Sequence, residues 1–195
     1  MINKLKITDM TEAEKYSYNK NNRDYNVWIS VVGEEERKKI NRMRNNFTEK
    51  NVKFFHQYFA DWSDEDGETW KHLEASAPQK KHVQNIVSFL RTYTDTETPY
   101  HLGVNCFAGI SRSTAVGIIA LVMSGRTPAQ ALTELLKQRP EAWPNLRILR
   151  FGGEILEVDL YTPVVEWKQD VTTAREVFIM PDRKQKEQQD ASPPV

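Results

Sequence analysis

The chain has 195 residues, enough for one domain that buries its own hydrophobic core without the staples shorter chains need. Lys and Arg total 27 and so do Asp and Glu; a formal charge of zero excludes the basic excess of a general nucleic-acid binder. The single cysteine excludes an intramolecular disulfide, and with 4 histidines and no cysteine pair a structural zinc site is not expected. Met1 to Lys6 lacks the apolar run of a signal peptide, and the longest apolar stretch, Ala115 to Met123, is too short to span a bilayer. The expectation is a soluble cytoplasmic protein with no membrane or nucleic-acid partner, no metal and no cofactor.

In chain order, residues 1–25 are polar and read as a loop-rich N-terminal extension. Val27 to Val32 is β-branched and apolar, is stopped by Gly33, and predicts a buried strand. Residues 34–46 are charged, with Ile40, Met43 and Phe47 at helical spacing, and predict a helix with a thin apolar stripe. Val52 to Phe59 predicts a second strand running into an acidic loop, Asp61 to Gly67. Ser76 with Gln79 reads as a capping box opening a helix whose buried face is Val83, Ile86, Val87 and Leu90.

Pro99 to Val104 predicts a third strand, which leads into Cys106. Ala115 to Met123 is apolar on nearly every side and predicts a central helix ended by Ser124-Gly125. Thr127-Pro128 reads as an N-cap followed by proline at the first helical position, with Leu132, Leu135 and Leu136 lining that helix and Pro140 ending it. Pro144 opens a further helix to about Leu156, and Tyr161 to Met180 is expected to add a strand or two. The domain organisation expected is the extension over 1–25, one domain over 26–180 and a disordered tail over 181–195. Strands alternating with helices imply an α/β fold, a central mainly parallel sheet flanked by helices.

The residues that carry chemistry lie between the third strand and the central helix. A strand–loop–helix connection aims successive backbone N–H groups, and the positive end of a helix, into one concavity, an anion site suited to phosphate. Phe107, Ala108, Gly109, Ile110 and Ser111 form that loop, with glycine where a side chain would hinder the turn. A free thiol is mostly protonated at neutral pH, but donors that attract phosphate also favour a thiolate at Cys106. Arg112, at the start of the helix, offers a planar fork for two phosphate oxygens. Ser113 is placed to donate a hydrogen bond to the sulfur.

Cys106-Phe107-Ala108-Gly109-Ile110-Ser111-Arg112-Ser113 resembles the Cys-x5-Arg-Ser/Thr signature of the protein-tyrosine phosphatase superfamily. The run Ala108 to Ala115 is most similar to small dual-specificity phosphatases of bacterial or viral type, and Pro144-Asn145-Leu146-Arg147 to the end of the bacterial group. The resemblance covers roughly residues 26 to 157. It implies a cysteine-phosphatase fold and hydrolysis of phosphotyrosine, with phosphoserine and phosphothreonine as further substrates, through a phosphocysteine on Cys106. Asn105 stands where the family has histidine, which removes one expected supporter of the thiolate.

Such a reaction needs an acid to protonate the leaving oxygen. The family takes it from an Asp after an earlier strand, the position of Asp61; Asp64 and Asp66 compete. A phosphoinositide phosphatase is disfavoured because Phe107, Ala108, Ile110 and Ser111 are uncharged. A phosphate-binding module without turnover is the alternative that Asn105 motivates.

Overall fold

The computed structural model describes residues 1–21, 23–66, 72, 74–94 and 98–173. The sheet has four strands, β1 (Ile2–Thr8), β2 (Val27–Val32), β3 (Lys53–Tyr58) and β4 (Tyr100–Asn105), in the order β1-β4-β2-β3 and all parallel. The helices are α1 (Met10–Tyr18), α2 (Arg37–Glu49), α3 (Lys80–Thr94), α4 (Arg112–Met123), α5 (Pro128–Gln138) and α6 (Leu146–Leu156), followed by α7 over residues 162–173.

Every residue of β2 is buried, as expected of a parallel strand covered on both faces. Its side chains alternate between two cores. Val27, Ile29 and Val31 face the core built with α3, α4, α5 and α6. Trp28 and Val32 face the smaller core with Ile40, Met43 and Phe47 of α2 and Met10 and Ala13 of α1. α4 lies at the centre, buried from Arg112 to Leu121, which explains why its sequence has no polar face. α5 begins as its sequence predicts: Thr127 accepts from the Gln130 N–H, Gln130 reaches back to Thr127, and Pro128 opens the helix. Among the described residues no helix is long and apolar enough to cross a membrane.

Three expectations are corrected. Residues 1–25 are not a loop-rich lead-in; they supply β1, paired with β4, and α1, capped by Asp9. The exposed side of β1 is closed by a side chain: Gln138 Oε1 accepts from the Ile7 N–H at 2.6 Å and its Nε2 donates to the Leu5 carbonyl at 2.8 Å. Ser76 does not cap α3, which starts at Lys80. The Ser76 carbonyl instead accepts from the Ala60 N–H at 2.7 Å, and Pro78 keeps the preceding residue out of helical geometry. Within the described part of the stretch from Tyr161, residues 162–173 form a helix and no strand, with Asp159 Oδ1 accepting from the N–H groups of Tyr161 and Thr162. Residues 174–180 and the expected tail 181–195 lie outside the described residues.

Because the strands are parallel, the loops after β1, β2, β3 and β4 all emerge at the same edge of the sheet, where α/β folds place their ligands. One close approach joins two neighbouring strands. Trp28 lies flat over Gly103 of the neighbouring strand, so a Cβ at 103 would fall inside the indole. Gly103→Ala is expected to lower stability by about 1–3 kcal/mol through forced displacement of the ring, read from the midpoint of urea unfolding. An unchanged midpoint would contradict this packing.

Candidate active site

The loop from Cys106 to Ser111 follows β4 and ends at α4. The carbonyls of Phe107, Ala108, Ile110 and Ser111 each meet a donor from outside the loop. The Phe107 carbonyl accepts from the Met10 N–H at 3.0 Å, Ile110 from the Trp143 N–H at 2.9 Å, and Ser111 from the Asn145 N–H at 3.3 Å. The Ala108 carbonyl takes Arg139 Nη2 at 3.4 Å, and Thr114 Oγ1 donates to Ile110 and Ser111 at 2.6 and 2.7 Å. A trans peptide points its N–H opposite to its C=O, so pinning the carbonyls outside turns the amide donors inward.

Cys106 lies at the floor of this cup, 1% exposed. Its Sγ accepts from the Gly109 N–H at 3.2 Å and from Ser113 Oγ at 3.2 Å. Gly109 has φ of +74°, and a Cβ there would lie 2.8 Å from the Asp9 nitrogen. Both backbone freedom and close packing of the β1–α1 junction therefore require glycine.

Arg112 opens α4 and is 5% exposed. Its Nη1 donates to the Phe59 carbonyl at 2.8 Å, which fixes the guanidinium plane. Its Nε is 3.4 Å from Asp61 Oδ2 yet misaligned for a hydrogen bond, and it meets no other acceptor among the described residues. A buried cation held open in this way suits an anion.

Asp61 is brought to the lip of the same cup: its Oδ1 accepts from Ser111 Oγ at 2.6 Å and from Asn145 Nδ2 at 3.1 Å. The other two carboxylates are engaged elsewhere. Asp64 pairs with Arg147 and Arg150, each at 3.1 Å, and Asp66 accepts from the Ser63 N–H at 2.6 Å. A cleft of about 880 Å³ opens over this point, with Phe59, Asp61, His82, Phe107 and Arg112 on its walls. Phe107 is 57% exposed at its rim, and burial together with Lys81 holds the His82 imidazole below its ordinary pKa.

Asn105 is fully buried and faces away from the sulfur. Its Oδ1 accepts from Trp28 Nε1 at 2.9 Å, and its Nδ2 contacts the Cys106 carbonyl at 3.3 Å and Met10 Sδ at 3.9 Å. It ties the strand end to the smaller core rather than to Cys106 Sγ.

Sequence reasoning missed Asn145. It caps α6 through the Ile148 N–H at 3.1 Å, while its Nδ2 reaches Asp61 and the Trp62 carbonyl, both at 3.1 Å. Asparagine just before an apolar helical run is a cap signal. Nothing in the spacing reveals its link to a residue far earlier in the chain. Arg139 and the β1–α1 junction, which brace the loop from outside, were missed for the same reason.

No protein-family model matches the chain, and no curated protein matches its sequence. Among solved structures it is similar to the crystal structure of Tk-PTP in the active form, with a TM-score of 0.53 and 18% identity over 79% of this chain and 92% of that one. The likeness is one of fold: this chain carries the α/β fold of a protein tyrosine phosphatase.

Proposed function

We propose that the protein is a cysteine-dependent phosphomonoester hydrolase acting on phosphotyrosine in proteins, with phosphoserine and phosphothreonine as secondary substrates. The observation that carries this reading is Cys106 Sγ held by the Gly109 N–H and Ser113 Oγ, with Arg112 and Asp61 converging above it. The inward amides and Arg112 take the non-bridging oxygens of the phosphoryl group. The Cys106 thiolate attacks phosphorus, forming the S–P bond as the P–O bond to the leaving group breaks. Asp61 gives its proton to the departing oxygen. It then accepts a proton from the water that attacks phosphorus, and the S–P bond breaks with Ser113 donating to the sulfur that leaves. Inorganic phosphate is released and the thiolate is restored.

The aromatic rim at Phe107 favours an aryl ester, and the uncharged side chains at 107, 108, 110 and 111 disfavour a polyphosphorylated inositol. The substrate expected is a phosphorylated protein of the cytoplasm.

Cys106→Ser is expected to abolish phosphate release from a phosphotyrosine peptide while retaining peptide binding by calorimetry. Binding by the wild type with no phosphate release at any pH from about 5 to 8 would instead favour a binding module. Asp61→Asn is expected to slow hydrolysis of the same peptide about a hundredfold or more, with a much smaller loss on p-nitrophenyl phosphate, whose leaving group needs no proton. An equal loss on both substrates would remove Asp61 as the acid. Asn145→Asp keeps the acceptor that caps α6 but loses the donor to Asp61 and sets a second carboxylate beside it. It also loses the donor to the Trp62 carbonyl at a site only 1% exposed, so the melting temperature should fall; the peptide rate should fall by about tenfold with a much smaller loss on p-nitrophenyl phosphate, and equal losses on both would show that this contact does not matter to the acid.

A further inference from the structure

The loop that carries Asp61 is fastened to the C-terminal part of the chain along its length. Asp61 and Trp62 are held by Asn145, and Ser63 Oγ accepts from the Leu146 N–H at 3.2 Å. Asp64 is held by Arg147 and Arg150. The next residue, Glu65, pairs with Lys168, which comes not from α6 but from α7.

Lys168 is only 4% exposed. Its ammonium lies 4.6 Å from the centre of the Trp143 ring and meets Glu65. Burial draws its pKa below that of an ordinary lysine, although Glu65, Asp66 and Asp61 all favour the charged form. A buried ion pair is a weak source of stability, since apolar residues of the same volume pack as well without the cost of desolvation. A methionine could fill the place beside Trp143. What the lysine adds is a directed attachment to a loop that belongs to neither strand nor helix.

We propose that Lys168 is a positioning residue for the reaction: by pairing with Glu65 it anchors the loop of residues 61–66 so that Asp61 stays at the lip of the Cys106 cup. The proposal rests on the phosphatase reading above. It makes α7 part of the working enzyme through a contact that touches neither substrate nor the reacting atoms.

The test compares Lys168→Met and Glu65→Gln with wild type in the full chain, on a phosphotyrosine peptide and on p-nitrophenyl phosphate, with melting curves alongside. Misplacing the acid should lower kcat on the peptide about tenfold while kcat on the activated ester changes by less than about twofold. The double variant should lose no more than the worse single one, because both substitutions cut the same tie. Glu65 is partly exposed, so its variant keeps the test open if Lys168→Met does not fold. Equal losses on both substrates, or unchanged peptide rates, would overturn the proposal. A wild type that hydrolyses neither substrate would instead remove the phosphatase reading, and this proposal with it.

Discussion

The site depends on the outward pinning of the carbonyls in the loop after β4. A buried backbone group must find a partner, and here the outer partners are Met10, Arg139, Trp143, Asn145 and Thr114. With the carbonyls held outside, the paired amides turn inward, and the Gly109 N–H reaches Cys106 Sγ. The shape of the loop is thus set by its surroundings as much as by its own residues. The donors come from α1, from α4 and from the segment of residues 139–145 between α5 and α6, so parts widely separated in sequence meet at one turn of backbone.

This explains the placing of the remaining elements. β1 closes one side of the sheet and ends where Asp9 and Met10 press against Gly109 and Phe107. α4 presents Arg112 and Ser113 in its first turn, buried, because its other residues form the central core. β3 ends where Phe59 fixes Arg112 and Asp61 faces it. Asn145 joins three parts at once, the helix it caps, the Ser111 carbonyl and Asp61.

The parts legible in the sequence were those with strong local signals. Val27 to Val32, apolar but for Ser30, and Ala115 to Leu121 are buried throughout, and Thr127-Pro128 carries its cap within four residues. Cys106, Arg112 and Ser113 were legible because one short loop holds them together. β1 was hidden because it is an edge strand in which Asn3 and Lys4 face solvent, Lys6 pairs with Glu12 of α1, and the outer partner is the side chain of Gln138. α7 falls where a strand or two was expected, although Asp159 and Pro163 at its start are helix-start signals. The choice of Asp61 over Asp64 and Asp66 was not decided by the loop itself. The three carboxylates differ in their partners: Arg147 and Arg150 hold Asp64, the Ser63 amide holds Asp66, and Asp61 meets Ser111, Asn145 and Arg112.

The central claim is that Cys106 is the nucleophile that carries the phosphoryl group. Rapid quenching of the enzyme during turnover of a phosphotyrosine peptide, followed by mapping of the modified residue by mass spectrometry, tests it most directly. The expected result is a phosphoryl group on Cys106 that accumulates further when Ser113 is replaced by alanine. Turnover with no covalent phosphoenzyme, or with the phosphoryl group on any other residue, would contradict it.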